Sequence, residues 1–335
     1  MRSAHHKFHY LQLSRRKTVN ILFSTAVILL LLNLAIDKIF LSRDSIKKEV
    51  SEIEIEKKFK TALFNFGLEK DWVKKIQGEN NETTFAYKID LPADLPVTLI
   101  LKEINNLFEG DNVNIESEEE RINGKTILKL RSAAELKLIS EFRYNSGLNR
   151  NAGKISFLLL DILNLEENED STLLNSPELF DIVLIPSKES AEEAKKISRY
   201  GKRYGLLLND EIPELKYNFK EAYSEARLKA SVRDILSDFP EIKFIMIDKK
   251  SGLFSSKVFP FVEKEFLKRN LRLFDKNSLD LIDAQETEEI IKIFKRVADT
   301  KKRRNILISA QNFILLQPEI IKYKKTGCKF VEPVF

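Results

Sequence analysis

One stretch of the chain is apolar on every side. Val19–Ile36 reads VNILFSTAVILLLLNLAI, about 27 Å as a helix at 1.5 Å per residue, close to a ~30 Å hydrocarbon core. Ile39, Phe40 and Leu41 extend it. Arg2, Lys7, Arg15, Arg16 and Lys17 precede it, while the far side opens on the balanced pair Asp37-Lys38. That bias keeps the N-terminus in the cytoplasm and sends the bulk of the chain outward. The run is longer than a signal-peptide core, and LAIDKIFLS offers no small-x-small cleavage site, so an uncleaved anchor is expected. The layout is then a cytoplasmic tail 1–18, a single-pass inner-membrane anchor 19–41, and a C-terminal ectodomain in the periplasm or outside.

Beyond the anchor the pattern becomes amphipathic. Ser45–Phe66 places Ile46, Val50, Ile53, Phe59, Leu63 and Phe66 at helical spacing, and Gly67 ends it. Glu69–Ile76 reads as a second short helix carrying the single tryptophan, Trp72, expected as a core anchor. Thr83–Leu91 alternates as a strand, and Val97–Phe108 opens as a helix after Pro96. Asn112–Ser117, Lys125–Arg131 and Glu135–Tyr144 alternate as three more strands. These elements predict a small α+β domain over 45–145, with helices on one face of a sheet. It carries no chemical motif; Asn81-Glu82-Thr83 fits a glycosylation sequon, a triplet that is frequent by chance. Asn145–Gly153 (NSGLNRNAG) has linker composition.

From Lys154 the rhythm changes to strand–helix alternation. β-rich runs lie at Ile155–Leu160, Ile182–Ile185, Gly205–Leu208, Phe244–Ile247, Leu271–Phe274, Asn305–Ile308 and Lys329–Val331. Helical stretches intervene at Ser187–Tyr200, Phe219–Leu236, Ser256–Lys268, Gln285–Thr300 and Phe313–Lys325. Such alternation predicts an α/β unit over 154–335 made of right-handed parallel βαβ units. Seven strands suit either an incomplete (β/α) barrel or an open parallel sheet, and both place ligand sites at the carboxyl ends of strands. Three acids recur at that rim, Asp161, Asp248 and Asp275, with Lys249 and Lys250 beside them. Converging carboxylates can hold a hard cation or act as acid and base. Asp is equally a common turn and N-cap residue, which is the plainer reading.

Composition then removes whole classes of chemistry. The three histidines, His5, His6 and His9, all lie in the tail, and Cys328 is the only cysteine. Beyond residue 9 this excludes His-based nucleophilic catalysis, His-ligated metal, Cys-cluster metal and an intramolecular disulfide. No Gly-rich phosphate loop follows a strand, so no nucleotide is expected as a partner. The formal charge is only +5, with acids and bases interspersed, which argues against nucleic acid.

Several blocks resemble the divergent polysaccharide deacetylase family, metal-dependent carbohydrate esterases with an incomplete (β/α) barrel. Lys154–Ile162 (KISFLLLDI) resembles the family's opening strand, and Phe180–Leu208 its next unit, with a strand ending in Pro and an Ala-rich helix. Phe244–Asp275 resembles the block with a Ser/Gly turn, and NILISAQ through KFVEPVF the last two strands. The resemblance covers residues 154–335. It places the family's catalytic base at Leu160 and one metal ligand at Asp161. Its histidine positions fall at Asn209 or Asp210, near Lys250, and at Ala310 or Gln311. One aspartate without histidine does not assemble the expected metal site. The resemblance therefore implies a deacetylase-like domain without deacetylation, with no cofactor and no metal. Its expected role is a non-catalytic module of the cell envelope that binds a glycan or another envelope protein. Two alternatives stand beside it. One is an enzyme rebuilt on Asp161, Asp248 and Asp275 around a hard cation, with Lys249 or Lys250 stabilising an oxyanion. The other is a structural subunit of a membrane complex.

Overall fold

The computed structural model describes residues 23–30, 32, 49–76, 85–121, 124–150 and 152–334. Among the described residues no helix is long and apolar enough to cross a membrane. Of the expected anchor 19–41, only residues 23–30 and Leu32 are described; they are helical and exposed. The rest of that segment, the tail 1–18, the start of the helix expected from Ser45 and the Asn81 sequon lie outside the described residues.

Residues 49–145 build a five-stranded mixed sheet. Its strands are β1 (Val73–Ile76), β2 (Phe85–Pro92), β3 (Asn114–Glu119), β4 (Thr126–Ser132) and β5 (Glu135–Asn145), in the order β1-β2-β5-β4-β3. β2 and β5 are parallel, while β1–β2, β3–β4 and β4–β5 are antiparallel. Strict alternation in β4 turns Leu128 and Leu130 onto the core beside Ile89, Leu138 and Phe142. Helices Glu52–Asn65 and Val97–Leu107 bury Phe59, Leu63, Ile100 and Ile104 in the same core. The helix expected at 69–76 is corrected: Lys70–Trp72 is a 3₁₀ turn, and Val73–Ile76 is the edge strand β1. Pairing with β2 overrides the weak helical spacing of an eight-residue segment. Trp72 is half-buried against the core edge.

The second unit has a separate core. Its strands are β6 (Lys154–Leu160), β7 (Phe180–Leu184), β8 (Arg203–Leu208), β9 (Ile245–Ile247), β10 (Leu273–Asp275), β11 (Asp280–Ile282), β12 (Arg303–Ser309) and β13 (Lys329–Phe330). All pairings are parallel, in the order β10-β9-β8-β7-β6-β12-β11, and β13 pairs with the start of β6. This order is cyclic except for the missing β10–β11 pair. A curled half-barrel follows, not a doubly wound sheet whose order reverses at a switch point. The chain crosses the open gap along the rim through the 3₁₀ turn Lys276–Ser278.

Alternation along the strands sorts the two faces. On β6, Ile155, Phe157 and Leu159 face the outer helices, and Phe157 packs against Phe294, Phe313 and Phe330. Leu158 faces inward with Val183, Leu207, Phe244, Met246 and Leu307, which fill the barrel interior. Gly205 makes room for that filling: a Cβ there would lie 2.3 Å from the Phe244 ring.

Three further expectations change. Helix Glu167–Asn175, between β6 and β7, and strand β11 were not predicted; nine and three residues gave little periodicity to read. The helix expected from Phe219 starts at Glu225, because Ser224 caps it through its hydroxyl. The one expected over 313–325 is two helices, Ala310–Leu315 and Gln317–Lys325, with Pro318 in the first turn of the second.

Candidate functional site

Parallel pairing brings the carboxyl ends of the strands to one rim, so the site residues expected from sequence share it. They do not share one role. Asp248 follows β9. Its carboxylate accepts hydrogen bonds from the Lys250 backbone N–H at 2.8 Å and from the Asn277 amide at 3.1 Å. These bonds and the nearby ammonium of Lys276 hold it below the usual carboxylate range. Asp275 ends β10 and accepts from the Asn277 backbone N–H at 2.9 Å, with Lys249 Nζ at 3.3 Å. Partial burial pushes it upward, but those partners outweigh burial and its pKa falls. Both carboxylates therefore serve the rim turns. Lys250 is exposed and contributes its backbone N–H.

Asp210, an alternative with Asn209 for an expected histidine position, is spent in the same way. Its carboxylate accepts the backbone N–H groups of Gly252 at 2.6 Å and Leu253 at 2.8 Å, tying the loop after β8 to the Ser/Gly turn.

Asp161 differs. It sits just past β6 with φ of +58°, in the left-handed region that Asp tolerates better than most residues. Its carboxylate accepts no hydrogen bond from a described residue. It keeps contact with solvent, yet the surrounding walls shield it, and the charges of Asp283 and Glu211 add to that; together they raise its pKa against the pull of Lys276. It opens into a cleft of about 260 Å³ between the ends of β6 and β7. Leu160, Leu163, Val183, Ile185 and Pro213 form apolar walls, and Glu211 supplies the second carboxylate. Leu160, where the resemblance leads to the expectation of a base, packs against the interior cluster. Sequence reasoning missed Glu211 and Asp283. Glu211 lies three residues past the end of β8, and Asp283 follows the unpredicted β11.

Among the described residues no group of three or more His, Cys, Asp or Glu could hold a metal ion. Asp161, Asp248 and Asp275 thus occupy one rim without forming one ligand set. The rim acids do not fit a divalent metal: both Asp210 oxygens and Oδ1 of Asp248 accept backbone N–H groups, and Asp275 accepts the Asn277 N–H.

No family model matches the sequence, and no curated protein matches it. Solved structures do match. Among them are a peptidoglycan deacetylase catalytic domain, a polysaccharide deacetylase and a pseudoenzyme. The catalytic domain of peptidoglycan N-acetylglucosamine deacetylase from Eubacterium rectale is 10% identical, covering 56% of this chain and 91% of that one, with a TM-score of 0.40. A polysaccharide deacetylase from Bacillus cereus is 14% identical, with 54% and 92% covered and a TM-score of 0.35. A mutant of BA3943, described as a CE4 family pseudoenzyme, is 13% identical, with 64% and 88% covered and a TM-score of 0.36. The likeness is one of fold.

Proposed function

We propose that this chain is a membrane-tethered envelope protein whose half-barrel binds a glycan through the Asp161 cleft without hydrolysing it. The observation that carries this reading is the state of the rim carboxylates. Asp248, Asp275 and Asp210 are committed to turns, whereas Asp161 remains unpartnered in a cleft with apolar walls. Carboxylates accept hydrogen bonds from sugar hydroxyls, and aliphatic walls pack against sugar C–H faces. Hydrolysis of an acetamide needs a base and an activated water. Leu160 cannot take a proton, and no described donor set lies ready to hold a metal.

The test uses the full chain in detergent with acetylated and deacetylated peptidoglycan oligosaccharides. Asp161→Asn weakens binding about tenfold, since a hydrogen bond to a charged group contributes roughly 1.5–3 kcal/mol and the solvent contact of Asp161 holds the loss to the low end. Neither the wild type nor Leu160→Asp releases acetate with zinc, cobalt or manganese supplied. Metal-dependent acetate release abolished by Asp161→Asn would instead establish the rebuilt enzyme.

A further inference from the structure

The opposite end of the barrel, at the amino ends of the strands, carries a cleft of about 280 Å³. Six of the residues lining it are cations: Arg150, Lys154, Lys301, Lys302, Arg303 and Lys329. The others are Ala152, Gly153 and Gly327. We propose that this cleft is a binding site for a phosphate-bearing ligand.

Strand register assembles the cluster. Lys154 opens β6, directly between Arg303 of β12 and Lys329 of β13. Register partners in a sheet point to the same face a few ångströms apart, and like charges so placed repel. Lys301 and Lys302 lead into β12 beside them, and the Lys302 carbonyl accepts the Lys154 N–H. Such crowding is unusual in this molecule. Elsewhere Lys58 pairs with Asp111, Lys125 with Glu141, Lys216 with Asp238 and Lys324 with Glu178. In the cleft, Lys154, Lys301, Lys302 and Lys329 have no ion-pair partner among the described residues. Carboxylates around the cleft are engaged elsewhere: Asp94 pairs with Arg150, Asp181 and Glu332 pair with Arg203, and Asp299, which with Glu69 lines an adjoining cleft, accepts the Tyr323 hydroxyl. The lysine side chains are exposed, so at low salt a bound anion would relieve their mutual repulsion, and added salt would screen it.

The scaffold beneath is rigid. Arg150 is pinned by Asp94 at 2.8 Å, the Lys325 carbonyl at 2.8 Å and the Phe66 carbonyl at 3.2 Å. Gly153 (φ +81°) and Gly327 (φ +97°) leave no room for side chains. A Cβ on the first would lie 2.9 Å from the Lys301 backbone, and one on the second 2.9 Å from Arg150. The cations therefore surround a preformed concavity. A single carboxylate balances one of them, whereas phosphate concentrates up to two charges in a volume this cleft accepts. The site lies at the other end of the strands from Asp161 and is independent of the glycan reading.

The experiment is calorimetric titration of the full chain in detergent at low salt with tripolyphosphate, short-chain phosphatidylglycerol or glucuronate. Saturable tripolyphosphate binding is expected, weakening as salt rises. Lys302→Glu with Lys329→Glu should raise the Kd at least tenfold; both side chains are exposed, and circular dichroism checks the fold. Lys292→Glu, exposed and outside the cleft, should leave it unchanged. Charge-reversal-sensitive binding of the phosphatidylglycerol in place of tripolyphosphate would also support the site and place the phosphate on a lipid headgroup. Absence of both interactions, an unchanged Kd in the double variant, or equal binding of glucuronate would overturn the proposal.

Discussion

Gly205→Ala tests whether the barrel interior is packed as described. Gly205 lies on β8 among the residues facing Phe244, and a Cβ there would stand 2.3, 2.4 and 2.5 Å from three atoms of that ring. Ordinary carbon contacts need about 3.5–4.0 Å, so the ring must retreat by more than ~1 Å. Phe244 is 2% exposed and packs with the interior cluster of Leu158, Val183, Leu207, Met246 and Leu307, leaving it nowhere free to go. Overpacking of this kind costs roughly 1–3 kcal/mol. Alanine also restricts the unfolded chain, which returns about 0.4–1 kcal/mol. The net effect is destabilisation by ~1–2 kcal/mol, or roughly 2–8 °C in Tm at 2–4 °C per kcal/mol for a unit of this size. Calorimetry and far-UV circular dichroism read the transition, and the single Trp72 reports the first unit separately by fluorescence. Phe244→Leu removes the outer ring atoms and should rescue part of the loss. The double variant is then less damaged than the sum of the singles by at least ~0.5 kcal/mol. An alanine variant as stable as wild type, or strictly additive effects, would refute the packing argument.

Two further outcomes follow from other parts of the molecule. Asp181 is buried at the amino end of β7, where burial, and to a lesser degree the Glu332 charge, raise its pKa to about 6 against the attraction of Arg203. A carboxyl with a folded pKa above its unfolded value binds its proton more tightly in the native state. Its contribution to stability is therefore largest below about pH 4 and is lost as pH rises through 6. Asp181→Asn should gain stability relative to wild type across that window, by on the order of 2–3 kcal/mol, read as a Tm difference that grows with pH; a Tm difference that stays flat with pH would contradict this. For the tether, protease added to spheroplasts should digest the chain beyond residue ~45 and spare the tail, and full protection of the ectodomain would reverse the proposed orientation.

The sequence on its own carried the local structure wherever a segment was long and strongly patterned. The capped helix Lys188–Arg199 was legible from Ser187 and its alanine stripe, because cap and amphipathic face are written in consecutive residues. β6, β7, β8 and β12 were legible as apolar runs bounded by polar turns. Their carboxyl ends, and so Asp161, Asp248 and Asp275, could be named as a rim. The histidine count alone confined the accessible chemistry. Short elements escaped: Val73–Ile76 and Asp280–Ile282 have too few residues for periodicity, and partner strands decide them. Closure into a half-barrel was also beyond local pattern, because the pairing of β12 with β6 joins residues about 150 positions apart. Tertiary structure alone separated the rim aspartates. Asn277, Lys249 and the Lys250 N–H reach Asp248 and Asp275 across turns, while Asp161 is left facing Glu211 and Asp283. The same holds for the cationic cleft. Along the chain, Arg150, Lys154, Lys301, Lys302, Arg303 and Lys329 look like ordinary solvated charges. Parallel register sets Lys154 between Arg303 and Lys329, because hydrogen-bonded strands lie only about 4.8 Å apart whatever their separation in sequence.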